Sequence, residues 1–397
     1  MKKKIFIISQ WMNIDGVESS LISLLKELDY SKNDVDLCLI HHVGPWMNEI
    51  PQEVRLLPPD RRISRVSMGL ATAWKQHDWL AWSLIQLARY LSFFYYRLFR
   101  RCKVDEIGFG QISSCIKSWL LPRKACEGKY DLCLVFGSTP EFACLVDAKV
   151  KAAWIHTDWS HYRPIRFLAR RQFSHVDYIV NVSDEAKKAF DSIVGKLHGV
   201  QSVVIENCLS PKWVKERAEQ LKVEMGQGVK ILSIGRVSAP KNFFRALEAA
   251  KILFQRHIPF TWIIVGDGEV FQSLSAEVQK SNLGDSFILA GQQSNPYPYL
   301  EWCDILVCTS DWEGKSVAVR EAQMFARPVV VTKFPTALSQ VEDGVDGLLV
   351  ERTAEAVAEG IEKLYHGKNL CRFLSDNCRK RDYTNIGEID KIMSWMN

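Results

Sequence analysis

Short apolar runs rich in Val, Ile and Leu alternate along the whole chain with longer stretches whose apolar residues recur at helical spacing. This alternation is typical of parallel α/β folds, in which strands are buried on both faces and helices connect them. The pattern predicts strands over 4–9, 35–41, 132–136, 152–155, 178–182, 230–234, 261–265, 287–290, 305–308, 328–332 and 347–350. It predicts helices, among others, over 19–28, 243–255, 269–281 and 316–325.

A break in this alternation near 207–228 predicts two domains. A strand-like run ends at 205–208, a polar helix is predicted over 211–222, and Gly226-Gln227-Gly228 precedes a new strand. A length of 397 residues also suits two cores better than one. We predict an N-terminal domain over 1–206, a second domain over 207–380, and a C-terminal helix, 381–397, that returns to the first domain. Ligands of parallel sheets bind beyond the carboxyl ends of the strands.

The N-terminal residues and the cysteines both indicate a cytoplasmic protein. Lys2–Lys4 and the apolar run after them are similar to a signal peptide, but the run is too short and lacks a small-residue cleavage site. The eleven cysteines are odd in number and form no CxxC pair, which is typical of reduced thiols. No Cys/His cluster has the spacing of metal ligands, so we predict no metal site.

The charge of the chain is concentrated in one segment. The formal net charge is +5, but residues 61–129 carry 13 basic and 4 acidic side chains, so the remainder sums to −4. A basic segment on a slightly acidic body predicts a local anionic partner and argues against nucleic-acid binding.

Within this basic segment, residues 74–99 contain nine aromatic side chains. Asp78, Arg89 and Arg97 interrupt the stretch, which argues against a membrane-spanning helix. Two interpretations stay open. One is an amphipathic helix that covers the core, and the other is an interfacial helix with aromatics in the lipid headgroup layer and arginines on anionic lipid.

Three loops that follow predicted strands of the second domain carry candidate binding residues. After 230–234 come Gly235, Arg236 and then Lys241, immediately before a helix. Two cations beside a helix N-terminus suit a diphosphate, although any exposed loop can also carry Arg and Lys.

The second loop, Gly266-Asp267-Gly268, follows the strand over 261–265. Its glycines permit positive φ angles and close approach of a ligand to the backbone. An ordinary tight turn is an equally good interpretation of these residues alone.

The third loop contains Glu313 and leads into a helix that contains Glu321, eight residues later. Two carboxylates so placed can accept hydrogen bonds from vicinal hydroxyl groups, while free amides near Ser316–Ala318 meet a phosphate. A helix cap and a surface ion pair are the structural alternatives for the two glutamates.

The order and spacing of these motifs, together with Asn295-Pro296-Tyr297 and Arg327-Pro328-Val329-Val330, resemble the donor domain of family 4 glycosyltransferases. The resemblance covers about residues 203–352, and the segment 335–350 is similar to the bacterial polysaccharide-making members. It implies the GT-B fold: two Rossmann-like parallel-sheet domains facing each other across a cleft. The implied activity is retaining, metal-independent sugar transfer without a cofactor.

The first half matches this family more loosely. Gly16, after the first strand, resembles the family's glycine-rich loop near the donor phosphates, and Asp15 stands where relatives commonly have a glycine. The segment Trp154-Ile155-His156-Thr157-Asp158 resembles a family segment that contributes a histidine.

The resemblance implies a role for each of these residues. Arg236 and Lys241 would hold the diphosphate of a nucleotide-sugar, such as a UDP-sugar. Glu313 would bind hydroxyls of the transferred sugar, and His156 would contact it near the anomeric carbon; these four residues form the expected catalytic set. The donor-binding set adds residues that touch the ribose, the phosphates or the backbone turns: Gly16, Gly235, Gly266, Asp267, Gly268, Ser316, Val317 and Glu321.

The expected acceptor is a glycan or lipid-linked glycan at the inner face of the cytoplasmic membrane, where the basic segment would meet anionic lipid. Two other functions remain open from the residues: a sugar-nucleotide 2-epimerase on the same fold, and a non-catalytic assembly subunit. An epimerase needs acid and base carboxylates, and only Glu313 offers one. A non-catalytic subunit predicts damage to Arg236, Lys241, Glu313 or Glu321, and all four are present.

Overall fold

A computed structural model describes residues 2–100, 106–118, 121, 124, 127–224 and 226–396. Its strands are β1 (Lys3–Ser9), β2 (Asn33–Leu39), β3 (Arg55–Leu56), β4 (Lys129–Val135), β5 (Asp147–Ile155), β6 (Tyr178–Asn181), β7 (Gln201–Val204), β8 (Val229–Ile234), β9 (Phe260–Val265), β10 (Phe287–Gly291), β11 (Ile305–Cys308), β12 (Val329–Thr332) and β13 (Leu348–Val350). Each of the eleven predicted strands overlaps one of these.

Helices lie between most successive strands, as the sequence pattern predicts. They are α1 (Gly16–Glu27), α2 (Arg61–Ser67), α3 (Leu70–Lys75), α4 (Trp79–Tyr95), α5 (Glu106–Lys117), α6 (Arg166–Phe173), α7 (Asp184–Val194), α8 (Pro211–Ala218), α9 (Phe243–Gln255), α10 (Phe271–Lys280), α11 (Tyr297–Trp302), α12 (Val317–Met324), α13 (Ala354–His366), α14 (Lys368–Arg379) and α15 (Glu388–Ser394).

The described chain divides into two compact units. The first contains residues 1–13, 28–206 and 389–397, and the second contains 14–27 and 207–388. Helix α1 therefore belongs to the second unit, although it directly follows β1 in the chain. In the first unit the C-terminal residue Trp395 stacks on Tyr178 of β6, with ring centroids 4.1 Å apart.

Each unit is built on one parallel sheet. The first sheet has the order β3-β2-β1-β4-β5-β6-β7, and the second has β10-β9-β8-β11-β12-β13. The core of the second unit packs α9 and α13 against the sheet, and Trp262 of β9 is fully buried there. Both sheets have the strand order of a Rossmann fold, so the predicted parallel α/β architecture is confirmed.

The aromatic stretch 74–99 is not one continuous α-helix. It contains the end of α3, all of α4 and most of a π-helical turn, Tyr96–Arg100. Helix α4 turns small side chains inward, namely Ala81, Ala88 and Ser92, together with Ile85. The inner face of α4 packs in the core through Ala81, Ile85 and Ala88. Most of its large apolar side chains are exposed and do not take part in that packing. Within the described parts of the chain, no helix is both long and apolar enough to span a bilayer.

Candidate functional site

The strand order of the second unit reverses between β8 and β11, and the loops after these two strands carry the strongest sequence candidates. Successive connections leave opposite ways at such a reversal, which opens a crevice at the carboxyl ends of the strands. Residues 235–242 follow β8 and residues 309–316 follow β11. The topology therefore brings the Arg236/Lys241 loop and the Glu313 loop to the same edge of the sheet.

Lys241 and Glu313, 72 residues apart in the sequence, form an ion pair in this crevice. Lys241 Nζ lies 2.9 Å from Glu313 Oε2, and the two side chains are only 22% and 9% exposed. Burial alone would lower the pKa of Lys241, but the Glu313 carboxylate holds it above its usual value. Burial alone would raise the pKa of Glu313, but Lys241 and the Ser310 hydroxyl hold it below its usual value. Both groups are therefore charged at neutral pH.

The other carboxylate oxygen of Glu313, Oε1, is held by a separate pair of donors. Oε1 accepts hydrogen bonds from the Ser310 hydroxyl and from Cys308 Sγ, the latter at 3.3 Å. The Glu313 carbonyl accepts a hydrogen bond from Thr336 Oγ1 at 2.9 Å. Burial, and then the nearby Glu313 carboxylate, raise the pKa of Cys308 to about 12, so this thiol is a neutral donor.

A further set of side chains, which belongs to no motif recognised in the sequence, joins the two loops. Arg245 of α9 donates to the Thr309 carbonyl and to Asp311 Oδ1, both at 2.7 Å. Asp311 Oδ2 accepts from Asn242 Nδ2 at 3.0 Å, and Thr309 Oγ1 donates to the Lys241 carbonyl at 3.0 Å. This network fixes the backbone on both sides of the Lys241–Glu313 pair.

Arg236 is exposed at the same edge and is paired with Asp15. Its Nη2 donates to Asp15 Oδ2, and the carboxylate of Asp15 raises the pKa of the guanidinium. The residue that replaces a glycine of the resembled family thus holds one of the two predicted phosphate ligands.

The glycines of the second candidate loop permit close backbone packing. A Cβ atom at Gly266 would lie 1.9 Å from the Gly235 carbonyl oxygen, and one at Gly268 would lie 2.4 Å from that of Val237. Gly266 also has a φ angle of 147°, which favours glycine. Asp267 is exposed and caps this turn, since its Oδ1 accepts from the Gly268 amide at 2.7 Å. These residues hold the loop after β9 against the loop after β8.

Glu321 lies on α12 and faces α1. The Ser19 hydroxyl donates to Glu321 Oε1 at 3.0 Å and lies 3.1 Å from the Tyr297 hydroxyl. All three side chains are buried. Burial raises the pKa of Glu321 to about 7, and the hydrogen bonds from Ser19 and Tyr297 oppose that rise. Ser19 has no sequence signal because it is 302 residues from Glu321, whereas Tyr297 lies in the Asn295-Pro296-Tyr297 motif.

Two helix N-termini meet close to Glu321. A Cβ atom at Gly16, the first residue of α1, would lie 3.2 Å from Cγ2 of Val317, the first residue of α12. Helix N-termini present amide donors and partial positive charge. The expectation of a free amide at Ser316 is wrong, because this amide donates to Gln340 Oε1 at 3.1 Å.

His156 lies in the first unit, directly after β5. Its ring packs edge-on against Phe136, which follows β4, with centroids 4.7 Å apart. The carboxyl ends of β4 and β5 thus present an aromatic pair, and the catalytic role of His156 stays a prediction.

The residues that the structure describes contain no group of three or more His, Cys, Asp or Glu side chains arranged to hold a metal ion.

Residues 214–381 match the model of a protein family described as "Glycosyl transferases group 1". The resemblance predicted from the motifs is therefore confirmed over this part of the chain. Over 166 residues the chain is 28% identical to UDP-Gal:alpha-D-GlcNAc-diphosphoundecaprenol alpha-1,3-galactosyltransferase of Escherichia coli, covering 40% of this chain and 43% of that protein. Over 158 residues it is 30% identical to amylovoran biosynthesis glycosyltransferase AmsK of Erwinia amylovora, covering 38% and 39%. The chain thus spans less than half the length of these relatives.

Solved structures are similar over nearly the whole chain. Anabaena Alr3699/HepE in complex with UDP-glucose has a TM-score of 0.64 at 17% identity, covering 98% of this chain and 99% of that one. A Staphylococcus aureus TarM mutant in complex with fondaparinux, alpha-GlcNAc-glycerol and UDP has a TM-score of 0.67 at 14% identity, covering 100% of both chains. At these identities the likeness shows the fold, and the predicted GT-B fold class is confirmed.

Proposed function

We propose, because residues 214–381 match the family model described as "Glycosyl transferases group 1", that this protein is a retaining transferase acting in bacterial polysaccharide synthesis. It moves a hexose-type sugar from a nucleotide-sugar to a lipid-linked or growing glycan. The observation that carries the proposal is the Lys241–Glu313 pair at the strand-order reversal, with Glu321 eight residues further on.

The donor diphosphate is the proposed ligand of Arg236 and Lys241. Its negative charge would replace the Asp15 carboxylate beside Arg236 and share Lys241 with Glu313. The N-termini of α1 and α12, which meet at Gly16 and Val317, add amide donors nearby. Fixed cations and amides in a partly buried crevice stabilise a leaving diphosphate without rearranging during the reaction.

Glu313 and Glu321 are the proposed hydroxyl acceptors. Glu313 keeps its charge through Lys241 and can accept bonds from hydroxyls of the transferred sugar. Glu321 would exchange the Ser19 hydroxyl for the two ribose hydroxyls of the donor. Gly235, in the loop after β8, and Gly266, Asp267 and Gly268, in the loop after β9, would line the bottom of the nucleotide site. His156 would contact the sugar near its anomeric carbon.

The proposed reaction proceeds with retention and needs no carboxylate nucleophile. The bond between the anomeric carbon and the diphosphate oxygen breaks, and the sugar acquires oxocarbenium character, as in glycoside hydrolysis. The acceptor hydroxyl forms the new bond on the same face, and its proton passes to the departing phosphate oxygen. Arg236 and Lys241 stabilise the charge that develops on that group.

The named substrates of relatives support the substrate classes. The Escherichia coli relative is named for UDP-Gal and for a diphosphoundecaprenol-linked GlcNAc, and AmsK is named for amylovoran biosynthesis. The solved Alr3699/HepE and TarM structures contain UDP or UDP-glucose. We therefore propose a UDP-sugar donor and an acceptor that is a glycan or a lipid-linked glycan.

The donor site is tested with a panel of UDP-, GDP- and ADP-sugars, scoring binding by calorimetry and slow hydrolysis by mass spectrometry. We expect at least one donor to bind, and Lys241→Met to lower kcat/KM for hydrolysis by roughly 10²–10³. The matched control is Lys251→Met, since Lys251 is paired with Glu248 on α9. If no nucleotide-sugar binds, or if the two variants behave alike, the donor site is assigned wrongly.

Two further measurements test the mechanism. Proton NMR of the product in the first turnovers should show the anomeric configuration of the donor, and the opposite configuration would exclude retention. Hydrolysis should keep its rate in excess EDTA, because Arg236 and Lys241 supply the positive charge. A large loss in EDTA that Mg²⁺ restores would overturn metal independence.

A further inference from the structure

Helix α4 buries mainly small side chains and exposes most of its large apolar ones. The residues that face inward are mostly small, namely Ala81, Ala88 and Ser92. The outward side carries Leu87, Leu91 and Phe94, and Leu98 follows in the π-helical turn after α4; these four side chains are 42–66% exposed. Their spacing of four, three and four residues places them in one stripe along the helix.

Aromatic side chains with a polar group flank this stripe. Trp74 of α3 and Trp79 of α4 are 57% and 51% exposed, and their rings meet edge-on with centroids 5.2 Å apart. Tyr90 is 59% exposed and packs on Phe94 at 4.6 Å. Trp and Tyr combine an apolar ring with a hydrogen-bonding group, which suits them to the headgroup layer of a bilayer.

The exposed charged side chains between residues 70 and 98 are all positive. Asp78 is the single acidic residue between 61 and 98. Its side chain is buried and accepts a hydrogen bond from Arg65 Nε at 2.6 Å, so it contributes no negative charge to the exposed face. Lys75, Arg89 and Arg97 are exposed. The surface of α3 and α4 is therefore both apolar and cationic.

We propose that this surface, the α3–α4 face (Trp74, Trp79, Leu87, Tyr90, Leu91, Phe94 and Leu98, with Lys75, Arg89 and Arg97), lies in the headgroup layer of an anionic membrane. Such a layer offers apolar acyl chains and phosphate charge together, and each side chain finds its complement there. A second copy of the chain would bring like charges together, which disfavours a symmetric dimer through this face. The inference is independent of the donor site in the second unit.

The test is co-sedimentation of the full chain with two kinds of vesicle, one of phosphatidylcholine alone and one that also contains roughly 40 mol% anionic phosphatidylglycerol. We expect binding to the anionic vesicles, weakened by salt. The apolar triple variant Leu87→Ser/Phe94→Ser/Leu98→Ser should bind at least roughly tenfold more weakly. Arg89→Gln/Arg97→Gln should lose about tenfold on anionic vesicles alone. Phe167→Ser, at a 66% exposed site elsewhere in the first unit, is the control and should bind like the unaltered chain.

Since all these positions are exposed, the variants should unfold at the temperature of the parent, which differential scanning calorimetry checks. Equal vesicle binding by the triple variant and the Phe167→Ser control would overturn the proposal. So would failure of the parent to bind anionic vesicles. Light scattering gives a third contrary outcome: a parent dimer that the triple variant converts to a monomer would identify a second copy as the occupant.

Discussion

Glu321 is the residue whose ionisation the proposed function most directly uses. Its pKa is raised to about 7, chiefly by burial, so the donor-free protein holds this carboxyl largely protonated below pH 6. A protonated carboxyl has lost one of the acceptors that a pair of ribose hydroxyls needs. We therefore expect donor affinity to rise with pH up to about 8, and to be roughly tenfold weaker at pH 6 than at the plateau.

Calorimetry between pH 5.5 and 8.5 measures this dependence. Glu321→Gln should bind the donor weakly and with an affinity that does not change with pH, whereas Glu359→Gln, at an exposed site on α13, should keep the pH profile of the parent.

The pH dependence of stability has the opposite sign to that of donor affinity. A carboxyl with a raised folded-state pKa binds more protons when folded, so its contribution to stability falls as pH rises from about 4.5 to 7. The donor-free Gln variant should accordingly be at least as stable as the parent at pH 8, and a pH-independent donor affinity in the parent would contradict the assignment.

Asp15 gives the second prediction at this scale. Its carboxylate occupies Arg236, so a donor diphosphate must compete with it for the guanidinium. Asp15→Asn removes the charge and keeps an oxygen that can accept from the Gly16 amide, as Oδ1 does at 2.6 Å. We expect donor affinity to increase up to about fivefold, which corresponds to a partly exposed ion pair.

The effect of Asp15→Asn should vanish in an Arg236→Met background, because the competition then no longer exists. Calorimetry at one pH measures the donor affinities of the parent, the two single variants and the double variant. Together these affinities give the coupling free energy between Asp15 and Arg236. A weaker donor affinity of Asp15→Asn would instead mean that Asp15 itself supports donor binding.

At the scale of elements, the turn before α9 and the loop after β11 act as one piece because Arg245 and Asp311 join them. The two side chains are 12% and 27% exposed, so solvent screens their pairing only in part. Arg245→Met leaves the Asp311 carboxylate, among the described side chains, with the Asn242 amide as its hydrogen-bond donor. We expect the free energy of unfolding to fall by about 1–3 kcal/mol and kcat/KM to fall about tenfold, as Lys241 and Glu313 lose their fixed separation.

Urea unfolding and donor hydrolysis measure these two effects. The control is Lys251→Met on the same helix, whose exposed pair with Glu248 should contribute less than about 0.5 kcal/mol. Arg245→Lys, which can still reach one acceptor, should recover part of the activity. If Arg245→Met is less stable but keeps its kcat/KM, the Arg245–Asp311 network contributes to stability and not to the activity.

The bounds of an element, and the side that it buries, could be predicted from the sequence only where large apolar residues determine them. The bounds of α9 and β11 agree with the predictions because a clear apolar period and abrupt polar flanks define them. Strand β3 has only two residues, Arg55 and Leu56, so it offers no period to detect. For α4, Ala81, Ala88 and Ser92 select the buried side, and a pattern based on hydrophobicity gives such small residues almost no weight.

At the scale of the whole molecule, the site depends on parts of the chain that are far apart in sequence. Lys241, Glu313 and Glu321 lie within about 80 residues, and their order and spacing mark them as candidates in the sequence. Ser19 and Asp15 reach the same site because α1 packs on α12 within the second unit, although it follows β1 of the first. Local spacing contains no information about such a long-range contact, so the sequence could suggest the loop at Gly16 only through a family resemblance.

Because α1 belongs to the second unit, a fragment that lacks it should behave differently from the full chain. A fragment of residues 207–388 contains the whole second sheet but lacks α1, whose Leu21, Ile22 and Leu25 are buried in the full chain. Without α1, apolar surface on the fragment is exposed, and the proposed donor site loses the amide donors of the α1 N-terminus. We expect the fragment to unfold at a lower temperature than the same unit in the full chain and to bind the donor at least roughly tenfold more weakly. Calorimetry of the fragment, with and without a synthetic peptide of residues 14–27, measures both effects. Recovery on adding the peptide would attribute the loss to α1, whereas a fragment as stable and as tightly binding as the full chain would show that α1 is dispensable to this unit.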